Sequence, residues 1–130
     1  MEVRIKTEIS KYLIIATLSA TLSNGKPYEK SYEQQRFGDS KNLAEIKALL
    51  LACRHLNQQQ ELKIIINATS PYIKMCIQSL EKWQQSDWVT SKGKEVKHKK
   101  EWKAIYELIK NFPVEINCDV AKEDENARRK

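Results

Sequence analysis

No apolar run in this chain approaches the roughly 18 residues that a helix needs to cross a bilayer, so no membrane association is expected. The opening Met1-Glu2-Val3-Arg4-Ile5-Lys6 alternates charged with apolar residues and lacks the apolar stretch of a secretion leader. Cysteine is scarce. Cys53, Cys76 and Cys118 are odd in number, widely spaced and free of any CxxC or Cys/His grouping, which supports neither a zinc site nor a disulfide framework. Each sits among apolar neighbours and reads as a reduced core residue, and a cytoplasmic location is the matching expectation. The two histidines, His55 and His98, have no partner at ligand spacing and read as surface residues. No internal repeat or linker is visible, so residues 1–130 read as one domain with a charged tail at 122–130 that frays.

What is plentiful is positive charge. The net charge of +6 and a pI near 9.2 suit a polyanionic partner. Composition alone does not distinguish a nucleic-acid binder from an ordinary basic protein, so the placement of the charge decides.

Along the chain, Val3, Ile5 and Thr7 alternate with charged residues as in a half-exposed strand. Tyr12 to Ser23 is rich in strand formers, and Asn24-Gly25 signals a hairpin because both residues tolerate positive φ. Tyr28 to Glu33 returns as a third strand. Asp39-Ser40 then caps a helix whose apolar stripe is Leu43, Ile46, Leu49, Leu50, Cys53 and Leu56. Leu62 to Ile66 is a short apolar run suited to a strand covered on both faces. Ser70-Pro71 opens a second helix, with Ser70 as cap and Pro71 at its first position. Residues 87–100 are polar and lysine-rich. Trp102, Ile105, Leu108, Ile109 and Phe112 form a third helix that ends at Pro113, and Val114, Ile116 and Cys118 alternate as a last strand. The order βββ-α-β-α-α-β predicts an α/β fold, a five-stranded mixed sheet with helices packed on it.

Filled by these residues, that order resembles type 1 ribonuclease H over nearly the whole chain. Val3-Arg4-Ile5-Lys6-Thr7-Glu8 is similar to the first family strand, which ends in a catalytic aspartate. Asn42-Leu43-Ala44-Glu45 with Ala48-Leu49 is similar to the helix that carries the catalytic glutamate. Ile66-Asn67-Ala68-Thr69-Ser70-Pro71-Tyr72-Ile73 is similar to the strand-to-helix junction that holds the second aspartate. Trp83, Trp88-Val89-Thr90, Lys94, Val96-Lys97 and Trp102 resemble the family's basic protrusion, or handle, and are the most specific part of the match. Glu125-Asn126 with Arg128 resembles the loop before the last aspartate.

The resemblance implies two divalent ions among four carboxylates, cutting an RNA strand paired to DNA. Such ions stand about 3.5–4 Å apart and need fixed oxygen ligands, and magnesium tolerates little geometric error. Carried over position by position, the carboxylate set is degenerate. Glu45 is retained, Glu8 stands where an aspartate is expected, Thr69 replaces the second aspartate, and the last position falls at or near Lys130. No glycine follows in Ile9-Ser10-Lys11-Tyr12, and Ala121-Lys122-Glu123-Asp124 holds no histidine where the family has its histidine loop. Glu8 and Glu45 alone make a weak metal site, so no cofactor is expected, and magnesium or manganese would enter only if the site is active through Asp119, Glu123 or Asp124.

For the handle, Lys92, Lys94, Lys97, Lys99, Lys100 and Lys103 could follow a phosphate backbone, and Trp88 could lie against a base or sugar. The competing reading packs Trp83, Trp88 and Trp102 together as a small core beneath the handle. Glu95 and Glu101 dilute the patch. Glu45 lies off the Leu43–Ile46–Leu50 stripe and reads either as exposed or as pointing to the sheet centre. Asn42 matches a residue that touches the hybrid's backbone in the family, or serves the helix start. The expected function is a ribonuclease H-like module that binds RNA or RNA–DNA hybrid with its two-metal chemistry lost. The alternatives are a divergent, active metal-dependent ribonuclease H, and a non-catalytic subunit that contacts another protein.

Overall fold

A computed structural model describes residues 1–118. Five strands and three helices follow one another as β1 (Glu2–Ile9), β2 (Leu13–Thr21), β3 (Pro27–Gln35), α1 (Lys41–Cys53), β4 (Lys63–Ala68), α2 (Pro71–Gln85), α3 (Lys99–Ile109) and β5 (Val114–Cys118). The strands form one sheet in the order β3-β2-β1-β4-β5. β1, β2 and β3 pair as an antiparallel meander, whereas β1–β4 and β4–β5 are parallel. The expected mixed five-stranded architecture is therefore present.

Strand alternation decides which side chains meet the helices. In β1, Val3, Ile5 and Thr7 are buried while Arg4, Lys6 and Glu8 are exposed. Register carries this parity across the sheet: Ile5 pairs with Leu18 and with Ile66, which pairs in turn with Ile116. These residues join the helices in one core. The opposite face presents Arg4, Lys6 and Glu8 beside Ser19, Thr17 and Ile15.

The Asn24-Gly25 hairpin forms, with a difference from the expected pair of left-handed residues. Leu22 N–H donates to Lys26 O at 2.8 Å, enclosing Ser23–Gly25, and among these residues only Gly25 is left-handed, at φ +83°. The Asn24 side chain instead accepts from Lys26 N–H at 3.0 Å, so Asn24 works through its amide oxygen. Both helix starts follow the expected chemistry. Ser40 Oγ accepts from Leu43 N–H, and Ser70 Oγ accepts from Ile73 N–H with Pro71 next in line.

α1 packs against β1, β2 and α3, so it is covered on more than one side. Ala44, Ala48 and Ala52 are fully buried, as are Ile46 and Cys53. Small side chains let the helix approach the sheet closely. Ala44 and Ala48 meet Ile14 and Ile9 in a separate small cluster at the β1–β2 turn. Burial pushes the Cys53 thiol up to about 12, which keeps it protonated and unreactive.

Ile66 lies at the centre of this arrangement at 1% exposure. Truncation to alanine leaves a cavity between sheet and helices, and Ile66→Ala is expected to cost about 2–5 kcal/mol. A urea titration would show this as a lower midpoint with an unchanged slope.

Candidate active site and nucleic-acid interface

At the ends of β1 and β4 three side chains converge. Glu45, on the second turn of α1, is 1% exposed. Its Oε1 accepts from the Thr69 hydroxyl at 2.5 Å, and its Oε2 accepts from the buried Thr7 hydroxyl. Thr7 is the last buried residue of β1, and Thr69 follows β4 just before the Ser70 cap of α2. Of the two readings open for Glu45, the buried one holds. Because α1 is wrapped by the sheet on one side and α3 on another, a residue off the main stripe is still inside.

Glu8 is not part of this group. Its side chain is 61% exposed on the face away from α1, with Lys6 Nζ 3.9 Å away. A one-residue step along a strand reverses the side-chain direction, which separates Glu8 from Glu45. Thr7 takes the place that the sequence reading gave to Glu8. The alternation of Val3, Ile5 and Thr7 is the signal for it, although Thr7 carries no carboxylate. Lys130, together with Asp119, Glu123 and Asp124, lies outside the described residues.

The handle begins where α2 ends. Asp87 and Trp88 are both left-handed, at φ 57° and 62°, and His98 is left-handed at 60°. A bulky residue pays steric strain there, and packing holds it in place. Trp88 is 2% exposed. Its ring stands edge-on to Tyr106 at 6.1 Å and tilted to Trp83 at 6.3 Å, and its Nε1–H donates to Gln84 Oε1 at 3.0 Å. Val96 N–H donates to Trp88 O at 3.0 Å, and Thr90 N–H to Lys94 O at 2.7 Å, which closes a small loop turned at Gly93 (φ +80°). Trp102 beneath is fully buried. The packing reading of the tryptophans therefore holds, and Trp88 is corrected: covered on its faces, it has none to offer a base.

Lys92, Lys94, Lys97 and Lys100 are exposed on this support. Lys99 is half-buried, with Glu95 3.9 Å from its Nζ, so it is less free than the other four. His98 is corrected from a plain surface residue to the left-handed residue that opens α3. His55 is exposed, yet it stacks on Tyr32 with ring centres 3.6 Å apart. Asn42 is exposed in the first turn of α1, where Ser40 makes the cap.

A family model described as RNase H matches residues 15–119. The chain belongs to the RNase H family. No curated protein matches by sequence. Among solved structures, the PFV RNase H domain is similar at 19% identity and a TM-score of 0.63, over 90% of this chain and 75% of that one. LC9-RNase H1, a type 1 RNase H with the type 2 active-site motif, has 11% identity and a TM-score of 0.71 over 90% of this chain and 62% of the other. The foamy viral protease-reverse transcriptase in complex with RNA/DNA hybrid has 17% identity and a TM-score of 0.65. There the match covers 97% of this chain but 18% of that one. At these identities the likeness is one of fold.

An RNase H fold implies divalent ions at the sheet end, and the donor set tests that implication. Both carboxylate oxygens of Glu45 already accept hydroxyl protons, and the flanking groups are neutral threonines. Among the described residues no three His, Cys, Asp or Glu side chains cluster in a way that could hold a metal. Magnesium needs near-octahedral oxygen ligation with anionic donors, and one carboxylate between two hydroxyls does not fit a pair of such ions.

Burial raises the Glu45 carboxyl above its ordinary 4.5, outweighing the Thr69 and Thr7 hydroxyls and the Lys41 charge, which all pull it down. The native state then holds this proton more tightly than the unfolded chain does. The resulting stability is fully present below about pH 4.5 and is lost as pH rises through the higher native value. Glu45→Gln is expected to remove this dependence. In thermal melts, its Tm relative to wild type should climb as the pH rises above about 4.5.

Proposed function

We propose that this RNase H-family chain binds double-helical nucleic acid, RNA–DNA hybrid or RNA, through its handle and does not hydrolyse it. One observation carries the loss of hydrolysis. Thr69, at a position where the family resemblance calls for an aspartate, and Thr7, one residue before Glu8, stand beside Glu45, and both donate hydrogen bonds to its carboxylate. A two-metal mechanism needs anionic oxygens that hold each ion in place. Here hydroxyl protons occupy the oxygens such ions would need.

The binding half of the proposal rests on charge placement. Exposed Lys92, Lys94 and Lys97 on a loop pinned by buried tryptophans, with exposed Lys100 at the start of α3, display their ammonium groups from a support that does not have to be ordered on binding. The foamy viral protease-reverse transcriptase, which shares the fold over the matched region, has been solved with an RNA/DNA hybrid and with dsDNA. Phosphate contacts of this type are independent of sequence and sensitive to salt.

Fluorescence anisotropy with a labelled hybrid is expected to show affinity falling with salt, by a slope of about 0.9 per lysine–phosphate contact. Replacing Lys92, Lys94, Lys97 and Lys100 with serine should weaken binding and flatten that slope. No binding at low salt would end the binding half.

The chemistry has its own test. Manganese is expected to leave the wild-type Tm unchanged and to raise that of Thr7→Asp/Thr69→Asp, in which three carboxylates would face one another. Hybrid cleavage by the wild type with manganese, lost in Glu45→Ala, would show instead that hydrolysis survives.

A further inference from the structure

Away from the handle, two aromatic rings stand in solvent. Phe37 is 77% exposed and Tyr12 is 69% exposed, well beyond the other large apolar residues of the described chain. They lie on two turns that are tied together. Arg36 N–H donates to Tyr12 O at 2.8 Å, and the Arg36 guanidinium spans Ser10 O at 2.8 Å and Asp39 O at 3.0 Å. Beneath them Ile9 and Ile14 pack on Ala44 and Ala48 of α1. The turns are thus fixed to the helix that carries Glu45, at the same end of the sheet as the Thr7–Glu45–Thr69 group.

Two lysines neighbour these rings. Lys11 Nζ sits 5.4 Å from the Tyr12 ring centre, and exposed Lys41 opens α1. The nearby acid, Asp39, is taken by Lys47 Nζ at 2.8 Å. Exposing two rings costs hydrophobic free energy that a turn could avoid with polar residues. Rings held on hydrogen-bonded turns beside ammonium groups suit a partner that is both flat and anionic. An unpaired nucleotide has that chemistry: its base offers a π-face and its phosphate a charge.

We propose that Tyr12 and Phe37, with Lys11 and Lys41, form a stacking platform for unpaired nucleotides. The preferred ligand would then be a duplex that carries a single-stranded extension or junction. The inference rests on the nucleic-acid reading above and adds a preference that the handle lysines cannot supply, because they track phosphates alone.

The test compares a blunt RNA–DNA hybrid with the same hybrid carrying a short single-stranded overhang that contains 2-aminopurine. The overhang is expected to tighten binding about tenfold, in line with base–aromatic stacking, and the 2-aminopurine emission should fall as the base stacks. Tyr12→Ser/Phe37→Ser should lose both effects while keeping its Tm and its affinity for the blunt hybrid. Tyr12→Phe/Phe37→Tyr should keep them. Equal affinity for blunt and overhung hybrids, or a preference that persists in the serine variant, overturns the platform and leaves the handle reading standing. Binding of the overhung hybrid alone supports the platform and removes the handle. Binding of neither removes both. A purified protein whose binding requires both rings, with blunt and overhung hybrids bound alike, would replace the nucleotide with a protein segment.

Discussion

A carboxylate buried at the junction of three elements constrains this molecule more than any other group. Glu45 belongs to α1, and its two hydrogen-bond donors belong to β1 and to the end of β4. An ionised carboxylate inside a protein is costly unless its oxygens are satisfied. Here the satisfaction comes from neutral hydroxyls, so the group works as a tie between helix and sheet. Burial still dominates its protonation. The same three positions join α1 to the ends of β1 and β4.

The handle solves a different problem. Lysines work on a polyanion only if the chain beneath them keeps its shape, and a short polar loop has little apolar surface of its own. The sequence supplies Trp83, Trp88 and Trp102 with Tyr106 as a small aromatic core, and that packing offsets the strain of consecutive left-handed residues at Asp87 and Trp88. Backbone hydrogen bonds from Val96 N–H to Trp88 O and from Thr90 N–H to Lys94 O then close the loop. Charge lies outside and indole inside, and the two depend on each other.

Much of the fold was legible in the chain. The caps at Ser40 and Ser70, the hairpin at Asn24-Gly25 and the apolar run into β4 are local signals with local causes, and each appears where expected. The site was legible in part. Glu45 was identified by resemblance, and its burial follows from α1 being covered on two sides, which a single apolar stripe does not reveal. Glu8 was misplaced because residue type outweighed strand parity, although Val3, Ile5 and Thr7 already fixed that parity. Trp88 was offered to both solvent and core, since only the tertiary fold brings Tyr106 to it. Tyr12 and Phe37 carried no signal at all: an aromatic residue in a turn reads the same whether its ring is tucked in or out.

Ala44 and Ala48 bear on more than their own volume. One pair of methyl groups sets how near α1 lies to the sheet, and it supports the β1–β2 turn on one side while Glu45 reaches its hydroxyls on the other. A larger side chain at either position would act as a wedge, lifting the aromatic turn and parting the carboxylate from its donors in one displacement. Two surfaces with separate chemistry therefore share a single spacer, and the smallest side chains in the helix set the tolerance of both.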